Sequence, residues 1–73
     1  MLHRSMYNPS NGRSYKMTVE KDDTINKFIL HRVWYGQIRQ GNKIDELFED
    51  EEDAINRVNE IIKIRKNRGY IMI

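Results

Sequence analysis

The chain has 73 residues, enough for one domain and no more, since domains span roughly 50 to 250 residues. A chain of this size hides only about 60% of its unfolded surface on folding, so one sheet and one helix are the most its core can hold. It has no cysteine, which excludes a disulfide framework and a zinc knuckle. The net charge is only +2, but residues 1–44 carry eight Lys/Arg against three acids, residues 45–53 carry seven acids and no base, and residues 54–73 carry five bases against one acid. This is a basic body with one acidic knot, a distribution that can attract phosphate backbones.

Residues 1–13 hold the only proline and the turn-forming series Asn8-Pro9-Ser10-Asn11-Gly12, with no periodic apolar pattern; they read as a flexible N-terminal arm ahead of a domain over 14–73. No apolar run suggests a signal peptide, and no segment approaches the roughly 20 apolar residues of a membrane span. The expectation is a cytoplasmic protein with no membrane partner. Frequent Asn, Lys and Ile fit an AT-rich bacterial or phage genome.

From Ser14 to Glu20, the apolar Tyr15, Met17 and Val19 alternate with Lys16, Thr18 and Glu20, the period of a half-buried strand. Lys21-Asp22-Asp23-Thr24 turns the chain. Lys27 to Tyr35 is aromatic and branched on both parities, which suits a central strand packed partly on both faces. Gly36 ends it, and Arg39-Gln40-Gly41-Asn42 supplies a turn. Lys43 to Phe48 reads as a third strand with Ile44, Glu46 and Phe48 on one side.

A helix follows. Asp50 is placed as N-cap, Glu51, Glu52 and Asp53 suit its positive end, and Lys63, Arg65, Lys66 and Arg68 suit its negative end. Ala54, Ile55, Val58, Ile61, Ile62 and Arg65 recur with helical spacing, and Ile55, Val58 and Ile62 are expected to face the sheet. Gly69 is placed to stop the helix, after which Tyr70 to Ile73 can return along the sheet. The fold class is therefore α+β, a small antiparallel sheet of three to four strands with one C-terminal helix on a face.

Asn26 to Trp34, Gly41 to Ile44, Glu51 to Ile55 and Arg68 to Tyr70 fall in the order of a known module. With a Trp-x-Gly closing the second strand, residues 14–73 resemble the WGR domain of DNA-dependent poly(ADP-ribose) polymerases and of stand-alone bacterial proteins. The signature itself departs from Trp-Gly-Arg, since this chain reads Trp34-Tyr35-Gly36-Gln37-Ile38-Arg39. Either Trp34 is the family tryptophan and Tyr35 an insertion, or Tyr35 takes the aromatic position without a gap. In both registers Gln37 stands where the signature arginine belongs. In the polymerases the module helps recognise DNA ends: its aromatic packs on sugar or base, basic groups hold phosphate, and its arginine communicates with catalytic parts. With no room here for a catalytic domain, the resemblance implies a free-standing, non-catalytic binding module without that last task.

Successive strand residues point to opposite faces, so one of Trp34 and Tyr35 belongs to the core and the other is free to stack on a nucleotide. Arg13, Lys16, Arg32, Arg39 and Lys43 are the candidate phosphate contacts around them, with Gln37 in the signature position. Solvated strand ends are the plain alternative for each base singly. The acidic knot lacks the order of a calcium loop, and capping and solubility account for it. His3 and His31 have no metal-ligand spacing, and neither a nucleophilic triad nor a phosphate loop is present. The expectation is thus no cofactor, no metal and no catalysis. Nucleic acid, DNA before RNA, is the expected partner, bound as ends, nicks or single strands. The rival reading is a protein-interaction module, either a small adaptor or a phage-encoded inhibitor of a host protein, since Trp, Tyr and Arg also dominate protein interfaces.

Overall fold

A computed structural model gives the fold and describes residues 2–36 and 41–73. In chain order the elements are β1 (Leu2–Asn8), β2 (Arg13–Asp22), β3 (Lys27–Tyr35), β4 (Asn42–Phe48), α1 (Glu51–Asn67) and β5 (Ile71–Met72). The strands form one five-stranded sheet in the order β4-β3-β2-β1-β5, antiparallel at every pairing. With α1 packed on one face the fold is α+β, as the alternating and helical periods predict.

The extra strand comes from the segment expected to be a flexible arm. That expectation is corrected: β1 pairs with β2 along its whole length, Leu2 opposite Val19 and Asn8 opposite Arg13, and Met6 is fully buried. The strand was hidden because its inward positions are Leu2, Arg4, Met6 and Asn8, two of them polar. Asn8 is buried, and its side chain is satisfied. Its Oδ1 accepts from the Ser10 amide at 3.0 Å and the Ser10 hydroxyl at 2.6 Å, and its Nδ2 donates to the Arg68 carbonyl at 3.1 Å. A buried carboxamide bonded on both sides serves the fold as a leucine would, without an apolar signature.

The core lies between α1 and the sheet and comprises Met6, Tyr15, Met17, Val19, Leu30, Ala54, Val58, Ile61 and Tyr70, with Leu2, Phe28, Trp34, Phe48 and Ile62 packed against it. β2 holds the centre of the sheet and β3 lies one place from the edge. The expected packing of β3 on both faces is also corrected, because only the helix face is covered. Ile29, His31 and Val33 on the other face are half-buried by their strand neighbours alone. The helix is rotated slightly from the expected face: Val58 is central as expected, but Ala54 and Ile61 complete the buried stripe while Ile55 and Ile62 flank it.

Asp50 precedes the first helical turn in extended conformation, but its side chain makes no capping hydrogen bond. The acidic first turn, Glu51 to Asp53, favours the helix start through the dipole instead. At the other end Gly69 adopts φ +96, a conformation that side chains rarely take. There its amide donates to the Lys66 carbonyl at 3.1 Å and the Tyr70 amide donates to the Arg65 carbonyl at 3.1 Å, the Schellman closure of a helix. This turn drives Tyr70 into the core and sends β5 back beside β1.

Candidate functional site

Trp34 and Tyr35 end β3, and the pleat sends them to opposite faces. Tyr35 points to the open face and is 36% exposed. The Lys16 ammonium stands 5.9 Å from its ring centroid, and Tyr7, Ser14 and Tyr35 form one cross-strand row. In the next row Val33 lies between Lys16 and Lys43.

Trp34 points to the helix face. Its ring stacks on that of its cross-strand neighbour Tyr15, with centroids 5.4 Å apart and planes 11° from parallel. Tyr15 in turn meets Tyr70 edge to face at 6.5 Å. The Arg65 guanidinium lies 4.4 Å from the Tyr15 centroid and 5.7 Å from that of Tyr70, within the range of cation–π attraction. Trp34, Arg65 and Tyr70 wall a cavity of about 190 Å³ that Arg13, Tyr35 and Asn42 also bound. Such a volume is below the roughly 300–1,000 Å³ of pockets that enclose a whole small molecule. It suits one base, sugar or phosphate of a longer ligand.

The expected site residues are therefore divided. Lys16 and Lys43 lie on the open face, Trp34 and Arg13 line the cavity from the helix side, and Tyr35, directed to the open face, borders the cavity at the strand end. Arg32 joins neither group. It sits under the helix with its side chain 14% exposed, held by Glu46 at 2.5 Å and donating to the Tyr15 hydroxyl at 3.2 Å. Gln37 and Arg39 lie outside the described residues. Arg65 was missed, because a basic residue in the last turn is already explained by the helix dipole. A signal was present all the same: Arg65 falls on the apolar stripe of α1, where a dipole partner has no need to be.

His31 is committed elsewhere. Its Nε2 pairs with Glu20 at 2.6 Å and its Nδ1 with Asp45 at 2.8 Å, so one imidazole ties β2 to β4 across β3. Partial burial acts to lower its pKa, but the hydrogen bonds and charges of the two carboxylates outweigh this and leave it raised above 6.5. The acidic knot is used in the same way: Asp45 holds His31, Glu46 holds Arg32 and Arg57, and Glu49 holds Lys27. Among the described residues no group of three His, Cys, Asp or Glu is arranged to hold a metal ion. No described helix is long and apolar enough to cross a membrane. No protein-family model matches the chain, and no curated protein and no solved structure matches it significantly.

Proposed function

We propose that the chain is a non-catalytic, WGR-like module that binds nucleic acid, DNA before RNA, at the Trp34–Tyr35 end of the sheet through phosphate contacts and aromatic stacking. The observation that carries this reading is Arg65. It is half-buried against two aromatic rings and has no carboxylate within ion-pair distance among the described residues, while Arg32 and Arg57 are both paired. A partly desolvated cation beside a cavity is completed by an incoming anion. Arg13 adds a second cation at the rim, and Trp34 and Tyr35 offer ring surface on the two sides of β3. One helix, with its apolar stripe turned to the sheet, leaves none to read a major groove. Ends, nicks and single strands are the fitting structures.

Titration of blunt, nicked and single-stranded DNA at two salt concentrations tests the reading. Affinity should fall with salt by a slope of about −0.9 per duplex phosphate contact or −0.7 on single strands. A folded protein that binds none of these below about 100 μM at low salt is weaker than ordinary non-specific binding, which ends the proposal.

A protein-interaction module is the second reading. It draws on β4, which forms one edge of the sheet and carries Leu47, exposed on the open face; an edge strand with an exposed apolar side chain is open to strand addition.

A further inference from the structure

We propose that the phosphates of the bound strand run along the side of α1, from the Trp34 cavity past Arg65 and on to Arg68, and do not cross the open face of the sheet. The inference rests on the nucleic-acid reading and specifies which surface carries it.

A second cavity, of about 120 Å³, lies beyond the first, lined by Arg32, Arg57, Ile61, Ile64, Arg65 and Arg68 together with Tyr15. Arg65 lines both cavities, so they adjoin at its side chain. Residues 57, 61, 64, 65 and 68 recur at the spacing that keeps helix residues on one face. The face of α1 beside this groove is therefore a row of three arginines with Ile61 and Ile64 between them.

Their charges are not equivalent. Glu46 holds Arg32 at 2.5 Å and Arg57 at 3.3 Å, and Glu60 holds Arg57 at 3.1 Å. Those two guanidiniums are fixed and largely neutralised. Arg65 and Arg68 have no carboxylate within 4.0 Å among the described residues, and they remain to meet a ligand. A guanidinium presents its donors in a planar fork that matches phosphate oxygens. Ile64, 47% exposed, offers apolar surface between Arg57 and Arg68, where a sugar can rest.

The open face lacks this excess. By register its ammonium groups are Lys16, Lys27 and Lys43 and its carboxylates Glu20, Asp22 and Asp45. Lys27 is further tied to Glu49, and Lys43 lies 4.0 Å from Asp45. Cations and anions cancel there, so the open face offers a polyanion no net attraction and the unpaired arginines draw it to the helix side.

The test is binding of short oligothymidylate, followed by fluorescence anisotropy at two salt concentrations, to two sets of variants. Arg68→Ala and Arg65→Met should each weaken binding about tenfold, the size of a charged hydrogen bond, and each should flatten the salt slope by about 0.7. Lys16→Ala and Lys43→Ala should change affinity less than about twofold, as surface charges off the path do. Arg68 is exposed at the helix end, so its variant keeps the fold even if Arg65→Met loses it, which a circular-dichroism melt reports. Loss confined to the lysine variants places the strand on the open face and overturns the inference while the nucleic-acid reading stands. Equal weakening by both sets means general charge attraction and overturns it as well. Wild-type protein that binds no oligothymidylate and none of the DNA forms removes the reading and this inference together.

Discussion

The carboxamide of Asn8 donates to the backbone carbonyl of Arg68 at 3.1 Å, joining the end of the first strand to the end of the helix across sixty residues of sequence. The same side chain closes the β1–β2 turn by accepting from Ser10. Asn8→Ala should lower stability by about 1–3 kcal/mol, because the Arg68 carbonyl and the Ser10 amide lose their partner. Chemical denaturation checks this, and a midpoint unchanged from wild type would mean that water replaces the bonds without loss.

Ile61 is buried in the stripe of α1, whereas Ile62 is only half-buried at its flank. Ile61→Ala should lower stability by about 2–5 kcal/mol, the range for emptying a core site, and Ile62→Ala by clearly less. Asp50→Ala should stay within about 0.5 kcal/mol of wild type, as its side chain makes no cap bond and ordinary surface changes are of that size. Thermal melts of the three variants rank them. A larger loss at Ile62 than at Ile61 would show the helix turned the other way.

Trp34 stacks on Tyr15 under the helix, while Tyr35 stands on the open face. Trp34→Ala should therefore cost stability, up to about 3 kcal/mol for a partly buried ring, and Tyr35→Ala should leave the melt within about 0.5 kcal/mol. If Tyr35 stacks on a terminal base, its removal weakens binding by about 1–3 kcal/mol and leaves the salt slope intact. Unchanged affinity would restrict stacking to Trp34.

Stability should also depend on pH through His31. Its folded pKa is raised above 6.5 by Glu20 and Asp45 against the opposing effect of burial, so the folded chain holds the proton more tightly than the unfolded one. The stabilisation is complete below the unfolded value and is lost as pH rises through the folded one. Denaturation series below and above pH 6.5 should show stability falling with rising pH in wild type, and His31→Gln should flatten that fall. A variant with the same pH dependence as wild type would assign the effect to another group.

The local sequence determined β2, β3, β4, α1 and the Gly69 stop, because each announces itself through period, end charges or a required backbone conformation. The pleat of a strand also required Trp34 and Tyr35 to part to opposite faces. What the sequence left open was which of them turns inward, since both are aromatic and either could fill a core. Tertiary structure decided it: the side of β3 that carries Leu30 must meet α1, and Trp34 shares that parity. The same kind of choice made a strand of residues 2–8, where Asn8 is buried by bonding to a helix end far along the chain. It also turned Arg32 into a partly buried partner of Glu46 and left Arg65 beside the Trp34 cavity. Such roles depend on which carboxylates the fold brings within reach, and pairing across strands and helix is a long-range property that local patterns do not carry.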